Sequence, residues 1–363
     1  MSIYGIDLHS DRITVATMVV TEDRVQEKLA TFIFKEESYQ KFLSSLRSDD
    51  YALIENSTNA FWFYDQVAPR IKACFVYDTN DIRSSGNKND KIDARHLARK
   101  LSYYLLMGAK KEDLPTVHIP DAEIRELRGL FTTYRLYNKM KVQTKNRIHS
   151  ILKQNGICID RGDIDLKGFE ARIEDFQISE VWKFQIRSAY CEFQHIQKQQ
   201  KEITQMIYLQ GNKRFNHEVE LLMGIRGFSA LTATALMSDV IEVSRFKNAK
   251  SFCSYLRATP KVRSSNQTTH VGHVNRQSRP LTCTLLTQSI YQLAQAGEHM
   301  ERFYARVKVG KSAGKVRIAL IRKALVSAYH MLKRNEPYSW VDAELYARKL
   351  RSYQRVLRKK IVA

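Results

Sequence analysis

Short apolar runs separated by charged turns make up residues 1 to about 85 of this chain. Runs of this length, bounded by turn residues, are typical of β-strands, whereas apolar residues that recur every three or four positions are typical of helices. The pattern predicts five strands and two helices: strands over Ile3–Leu8, Ile13–Val20, Lys28–Phe34, Tyr51–Glu55 and Ala73–Tyr77, and helices over Ser38–Leu46 and Phe61–Val67. The first three strands should form an antiparallel meander.

A third helix is predicted to begin near Asp90, after the polar loop Thr79–Asn89. Its apolar positions form one stripe that would dock on the sheet: Ile92, Ala94, Leu97, Ala98 and Leu101. Asp90 and Asp93 share a face of this helix because they stand three residues apart. They fit a solvated helix start, which the helix dipole and the neighbours Lys88, Lys91 and Arg95 would stabilise. They also fit a pair of ligands for a divalent cation.

The order of the elements favours the cation. Three strands, a helix, a strand, a helix, a strand and a helix is the order of a ribonuclease H-like fold, in which the first and fourth strands lie side by side. Asp7 ends the first strand and Glu55 ends the fourth, and the last helix would bring Asp90 and Asp93 beside them. Because Mg²⁺ prefers hard oxygen donors, these four carboxylates form a candidate magnesium site.

The rest of the chain is predicted to be mostly helical. A long basic helix over residues 122–156 and a second helix over 174–209, joined by a polar loop, are typical of an antiparallel coiled-coil hairpin. This hairpin is either a plain helical spacer or a dimer arm that clamps nucleic acid. Helices also follow over residues 230–237, 249–257 and 316–332, and a basic helix after Trp340 is expected to lie on nucleic acid.

A glycine-containing turn separates two of these helices. Gly224 and Gly227 stand three residues apart between apolar segments. A Gly-x-x-Gly turn lets backbone amides approach a phosphate, as in a helix-hairpin-helix that reads duplex backbone without regard to sequence. The alternative is an ordinary helix–helix turn, because the glycine spacing alone is a weak signal.

A later loop, Lys261–His273, is rich in hydroxyl side chains and contains Ser264 and Ser265 beside the cations Lys261 and Arg263. A serine in such a loop can attack phosphorus if a base or metal activates it and cations hold the phosphate. The alternative is a flexible Ser/Thr turn, which most such loops are. Further along, Lys311 and Lys315 lie in a Gly/Lys loop that is predicted to contact a nucleic-acid backbone.

The net charge of the chain indicates which kind of molecule it binds. The chain of 363 residues has 59 Lys and Arg against 38 Asp and Glu, a net charge of +21. Such an excess favours nucleic acid over a membrane surface as the partner. The sequence contains no apolar run long enough to span a bilayer, no signal peptide and no lipidation motif. Its five scattered cysteines predict reduced thiols, so we expect a cytoplasmic, nucleoid-associated protein.

The motifs together resemble those of the DEDD-type transposases of bacterial insertion sequences, a group that includes pilin-gene invertases and bridge-RNA-guided recombinases. The resemblance covers nearly the whole chain. It rests on these segments: Gly5–Asp7, Leu53–Glu55 and Lys88–Ala98 for the three acid motifs, Leu222–Gly227 for the entry to the second catalytic domain, Tyr255–Pro260 before the serine loop, and Gly314–Val316 with Arg322 and Lys323 in the C-terminal helix. The acid motif around Asp90 is the most specific of them.

The resemblance implies a nucleophilic serine five residues beyond Pro260, which is Ser265 here. The glycines and lysine that commonly follow this serine are missing, which leaves Ser264 as a rival. Ser265 would attack a DNA phosphate and form a covalent phosphoserine link, with Mg²⁺ held by Asp7, Glu55, Asp90 and Asp93. Further residues expected to contact nucleic acid are Lys88, Arg95, Lys261, Arg263, Lys311 and Lys315.

The resemblance also implies an architecture and a set of partners. A RuvC-like domain over residues 1–120 would precede a coiled-coil arm (121–215), a helical transposase domain (216–338) and a basic tail (339–363). Expected partners are donor and target DNA, a structured guide (bridge) RNA, and further copies of the chain in a dimer or tetramer. Alternatives are a metal-dependent RuvC-like nuclease or junction resolvase, a protein-only site-specific DNA invertase, and a nucleic-acid-binding protein without catalysis.

Overall fold

The computed structural model describes residues 1–20, 25–78, 90–108, 113–265, 268–274 and 281–358, with only the backbone described over most of 261–274. The chain divides into two compact units, Met1–Pro120 and Asp121–Ala363. The division into four parts predicted from the sequence remains a prediction. Within the described ranges, no helix combines the length and apolar character needed to cross a bilayer.

The first unit is built on a five-stranded sheet. Its strands are β1 (Ser2–Leu8), β2 (Arg12–Val20), β3 (Val25–Ile33), β4 (Tyr51–Glu55) and β5 (Ala73–Tyr77). Their spatial order is β3-β2-β1-β4-β5. β1 runs antiparallel to β2 and parallel to β4, as a ribonuclease H-like fold requires. The predicted α/β class of this part of the chain is therefore confirmed.

Three helices cover the two faces of this sheet: α1 (Glu37–Ser45), α2 (Ala60–Val67) and α3 (Asp90–Leu106). Successive residues of a strand face opposite sides. Ile6 and Leu8 therefore pack into the core formed with α1 and α2. Ile3 packs with Leu97 of α3 on the other face. Asp7, two positions beyond Gly5, consequently lies on the α3 side of the sheet.

The predicted docking stripe of α3 is correct except at one position. Ala94, Leu97, Ala98 and Leu101 are buried, whereas Ile92 is 54% exposed. Ile92 lies two residues from Ala94, and at 100° per residue it points well away from the buried face. An apolar side chain near the end of a helix therefore need not belong to its core stripe.

The second unit begins with a helical hairpin made of α4 (Ala122–Gln154), α5 (Phe169–Asp175) and α6 (Glu180–Met223). α4 and α6 are antiparallel: Lys141 Nζ donates to Gln200 Oε1 over 3.4 Å, and Arg147 donates to Gln185 Oε1 over 3.0 Å. The distal end has its own core, to which Ile151, Phe169 and Phe193 contribute. The predicted coiled-coil hairpin is thus present.

The second helix of the hairpin differs from its prediction at both ends. It was expected over residues 174–209, but Glu174 belongs to α5 and α6 continues to Met223. A kink at Phe215, with φ −132° and ψ 30°, interrupts its helical geometry. Gly211 lies against Thr234, where an added Cβ would come 2.4 Å from Cγ2. Packing of this glycine therefore keeps a polar, glycine-containing stretch helical.

Seven more helices and one β-hairpin complete the described part of the second unit. They are α7 (Ala230–Val240), α8 (Ala249–Tyr255), β6 (Pro260–Ser265), β7 (Thr268–Val274), α9 (Leu281–Gln288), α10 (Ile290–Ala294), α11 (Glu298–Lys308), α12 (Ala313–Arg334) and α13 (Ala343–Arg358). The seven helices share one large core that includes Leu236, Phe252 and Leu325. The predicted serine loop is instead an antiparallel hairpin, in which Ser265 pairs with Thr268.

The turn between α6 and α7 is an internal packing turn. Gly227 adopts a φ of +95°, and a Cβ there would come 2.8 Å from Leu293. Gly224 lies near Tyr338 and Val341. Lys349 of α13 donates to the carbonyl oxygens of Met223 and Ile225, over 2.8 and 2.9 Å. Both glycines therefore face the protein's own side chains, which favours the ordinary turn over a phosphate-binding one.

Candidate metal centre and serine hairpin

Asp7 is the buried centre of the candidate metal site. It lies at the end of β1 and is only 4% exposed. The parallel register that pairs Ile6 with Ile54 places Glu55 in the neighbouring strand at the same level as Asp7. The two side chains share a hydrogen bond. The sheet topology thus brings together two acids that are far apart in sequence.

Gly5 explains how α3 brings its acids to this point. A Cβ at Gly5 would lie 2.2 Å from both Ala94 O and Ala98 N, which are backbone atoms of α3. Only a glycine allows the helix backbone to come this close to β1. Asp90 and Asp93 occupy the first turn of α3. The close approach therefore places the start of the helix beside the end of the strand.

His9 joins the acids, although the sequence did not predict it as a site residue. Its Nε2 lies 3.2 Å from Asp7 Oδ2 and 3.1 Å from Asp90 Oδ2. The backbone of His9 is held by Arg12, whose carbonyl accepts from its N–H over 3.0 Å, and by Asn59, whose side chain donates to its carbonyl over 2.7 Å. The Asp-x-His spacing at the end of the strand could have indicated His9, because alternate residues of a strand share a face and His9 therefore follows Asp7 on the same side.

Burial raises the pKa of the Asp7 carboxyl above its ordinary value, and the charges of Asp90 and Asp93 raise it further. The hydrogen bonds from Glu55 and from the Leu8 backbone act in the opposite direction. A buried carboxylate beside other acids ionises readily only when a positive charge neutralises the group. A bound cation would supply that charge.

The donor set fits a divalent cation. Asp7, His9 and Asp90 each offer a ligand atom, and these three atoms lie within 4.8 Å of one another. Glu55 adjoins the cluster through its bond to Asp7, and Asp93 acts on Asp7 through its charge. Carboxylate oxygens suit Mg²⁺ or Mn²⁺, and an added imidazole nitrogen suits Mn²⁺ and other transition metals better than Mg²⁺.

The residues predicted to contact nucleic acid have different surroundings. Lys88 lies outside the described residues, and the side chains of Lys261 and Arg263 do as well, although their backbones belong to β6. Lys311 and Lys315 are exposed near the start of α12. Arg95 forms an ion pair with Glu27 of β3, so it is partly engaged within the first unit.

A buried hydrogen bond lies on the C-terminal side of the hairpin that carries Ser264 and Ser265. Thr282, in the first turn of α9, donates from Oγ1 to Asp239 Oδ2 over 2.8 Å, and both residues are almost fully buried. Arg257, just before the hairpin, adopts a positive φ of 61°. Asp239 lies in no motif of the sequence, and it joins the core of the second unit to the helix after the hairpin.

Comparison with known protein families gave one match in each half of the chain. Residues 4–156 match the transposase family of the DEDD, IS110 type, and residues 219–305 match the family described as Transposase IS116/IS110/IS902. A comparison with curated proteins found no match. The first family match contains the Asp7 cluster, and the second contains the serine hairpin. Their order agrees with the motifs and with the observed sheet and helices, and the chain belongs to the DEDD-type insertion-sequence transposases.

Proposed function

We propose that this transposase exchanges DNA strands through a covalent phosphoserine intermediate, with a divalent cation held by Asp7, Glu55, Asp90 and Asp93. The observation that carries the proposal is the convergence of acids from β1, β4 and α3 around the buried Asp7. His9 belongs to the same cluster, where it lies between Asp7 and Asp90. Mg²⁺ is the proposed ion because three or four carboxylates supply most of the donors.

When bound, the ion would polarise a phosphate oxygen and favour ionisation of the attacking hydroxyl. The acids themselves would hold the ion, and Asp7 among them is almost fully buried. The His9 ring contacts both Asp7 and Asp90, so it links the two carboxyl groups.

Ser265 is proposed as the nucleophile. Its Oγ would lose a proton and form a bond to phosphorus, the bond from phosphorus to one deoxyribose oxygen would break, and that oxygen would leave as a hydroxyl after taking up a proton. The serine–DNA phosphodiester replaces the broken one, so a second strand can be joined by the reverse step without an energy-rich cofactor. The acids belong to the first unit of the chain and Ser265 to the second.

The test is an adduct assay with end-labelled DNA that carries the ends of the element, with and without Mg²⁺. The wild-type protein should form a denaturation-resistant protein–DNA adduct that depends on Mg²⁺. Ser265→Ala should abolish the adduct, whereas Ser264→Ala, the matched neighbouring change, should keep it. Asp7→Asn should abolish the adduct without loss of DNA binding.

Other outcomes of the same assay lead to different functions. Mg²⁺-dependent cleavage that survives Ser265→Ala, with no adduct, would identify a nuclease or junction resolvase in which water attacks. Loss of the adduct in Ser264→Ala but not in Ser265→Ala would move the nucleophile by one residue. DNA binding with no strand chemistry under any metal would leave a binding protein and overturn the proposal.

A guide RNA and an oligomer are the proposed partners. Both come from the family resemblance, and the net charge of +21 is compatible with RNA as well as DNA. Sequencing of the RNA that copurifies with the protein should give one discrete structured species. Absence of such a species would favour a protein-only invertase. Analytical ultracentrifugation of the protein with its DNA should give a dimer or a tetramer.

A further inference from the structure

The helix α13 lies beyond both family matches, the second of which ends at residue 305. Its two faces differ sharply in chemistry. Four exposed arginines recur along it at intervals of three, four and three residues: Arg348, Arg351, Arg355 and Arg358, called here the arginine stripe. At 100° per residue these positions fall within an arc of about 80° on one side of the helix.

The opposite side of α13 is fixed to the core of the second unit. Tyr353 is 2% exposed, and its ring contacts that of Tyr208 in α6 with centroids 5.3 Å apart. Leu350 and Leu357 pack against the same core. These apolar positions lie about 120° to 180° around the helix from the centre of the arginine stripe. The packing therefore holds the stripe outward in a fixed orientation.

The arginines of the stripe have no acidic partners among the described residues. Their helix contains a single acid, Glu344, and none of the ion pairs formed by the described side chains includes a member of the stripe. Two other exposed helical faces pair a cation with an acid four residues away, Lys41 with Glu37 and Arg302 with Glu298. Four neighbouring like charges without acids repel one another, which an anionic partner would relieve.

We propose that the arginine stripe binds the phosphate backbone of a nucleic-acid strand. From Arg348 to Arg358 it rises about 15 Å along the helix axis. One strand of a duplex presents a phosphate about every 3.4 Å along its axis, so the stripe matches about four consecutive phosphates. Guanidinium groups suit this role because they bond phosphate oxygens in a bidentate manner. Such contacts position the protein and do not read sequence.

The test compares two variants that each lose four positive charges. In the first, Arg348, Arg351, Arg355 and Arg358 become Gln, which retains helix propensity. In the control, four exposed lysines outside α13 become Gln: Lys167, Lys198, Lys201 and Lys213. Binding to a labelled duplex DNA of mixed sequence and to a labelled duplex RNA is measured by fluorescence anisotropy over a series of salt concentrations, in EDTA.

The stripe variant should bind its partner about a hundredfold to a thousandfold more weakly at low salt. The slope of log K against log salt should fall by about 3 to 4, since each phosphate contact contributes about 0.9 on B-DNA. The control should lose much less affinity and keep most of its slope. Each single Arg→Gln change should lower the slope by about one.

The two nucleic acids distinguish the source of the phosphates. Loss on DNA alone places the stripe on a DNA strand, loss on RNA alone places it on an RNA, and equal loss on both places it on backbone of either kind. Equal losses in the stripe and control variants would show a response to net charge alone and overturn the proposal. An unchanged slope in the stripe variant would do the same. The circular dichroism spectrum of each variant verifies that α13 and its core are retained.

The proposal is independent of the chemistry assigned to Ser265 and the acids. Binding is measured in EDTA, where the metal site is empty of added ion, and no bond is broken. A negative adduct assay would therefore not contradict binding of a phosphate backbone by the arginine stripe. A negative salt-slope test would not contradict the phosphoserine proposal.

Discussion

Gly5 determines the distance between β1 and α3, and through it the geometry of the candidate metal centre. Its missing side chain leaves room for the backbone of Ala94 and Ala98. Asp7 follows two residues later on the same face of the strand, and Asp90 begins α3, the helix that packs against Gly5. The Gly-x-Asp spacing therefore combines a packing requirement with a chemical one.

Gly5→Ala should destabilise the first unit by about 3 kcal/mol, because overpacking against backbone cannot be relieved by side-chain rotation. It should also weaken Mn²⁺ binding, measured by isothermal titration calorimetry, since Asp90 moves away with α3. Gly129→Ala is the control: Gly129 lies within α4 with nothing inside 4 Å of an added Cβ. That change should stabilise the second unit by about 0.5–1 kcal/mol. A fully stable Gly5→Ala protein would contradict this account of the close approach.

Asp7→Asn should raise the melting temperature of the metal-free protein at neutral pH. The pKa of Asp7 is raised in the fold, so its protonated form stabilises the fold at acidic pH, and that stabilisation is lost as pH rises through the raised pKa. Asparagine removes the buried charge at every pH. The gap between variant and wild type should therefore close on acidification.

Thermal melts across a pH series, with and without Mg²⁺, measure this effect. Mg²⁺ should raise the melting temperature of the wild type and not that of Asp7→Asn, because a ligand stabilises only the form that binds it. Asp11→Asn, which removes an exposed acid near the same site, should not raise the melting temperature in the absence of metal. A wild-type protein more stable than Asp7→Asn without metal at neutral pH would refute the electrostatic argument.

Element order predicts that Asp7 and Glu55, each at the end of an apolar strand, lie side by side, and the observed pairing of β1 with β4 agrees. His9 was missed because a lone histidine after a strand has many ordinary explanations, and only the approach of Asp90 makes it part of a cluster. Ile92 was assigned to the core because apolar type and helical spacing cannot show where a docking face begins.

At the scale of elements, strands were predicted more accurately than helix ends. Tyr51–Glu55 and Ala73–Tyr77 were predicted with the observed bounds, since buried parallel strands are continuous apolar runs between turn residues. The polar stretch around Gly211 predicted an end to α6 that tertiary packing overrides. The hydroxyl-rich composition of the serine segment predicts a loop, whereas the structure pairs β6 with β7 there. Composition does not show which segments pair as strands.

Lys349 links two elements, because it caps the carboxyl end of α6 from its place in α13. Burial lowers its pKa to about 8, with Arg226 acting in the same direction and Asp342 against it. An uncharged amine still has two N–H groups for the carbonyls of Met223 and Ile225. The second unit should therefore gain stability from this residue as pH rises from about 8 toward the lysine pKa of the unfolded chain.

The expected gain over that range is about 1–2 kcal/mol, reduced from the full shift because the amine is partly exposed. Urea unfolding of the wild type and of Lys349→Met between pH 8 and 10 gives the free energy of unfolding of each protein. The difference between the two free energies measures the gain, because titration of the core tyrosines contributes equally to both proteins. Lys198→Met, at an exposed position of α6, should show no such dependence. Parallel stability curves for the wild type and Lys349→Met would contradict the lowered pKa.

At the scale of the whole molecule, each hydrophobic core among the described residues belongs to one unit only. Leu53 lies in a core made of β-strands and α3. Leu236 lies in the large helical core of the second unit. The acids proposed to bind metal belong to the first unit and the serine hairpin to the second. The division of the proposed chemistry therefore follows the division of the cores.

Differential scanning calorimetry of the full-length chain should consequently show two unfolding transitions. Leu53→Ala and Leu236→Ala remove the same atoms from two fully buried sites, so each should cost about 3 kcal/mol. Each should lower only the transition of its own unit, by several degrees. Mg²⁺ should raise only the transition that Leu53→Ala lowers, because its proposed ligands belong to that unit. A single transition shifted equally by both variants would show that the units unfold together, and the assignment of separate cores to separate cooperative units would be wrong.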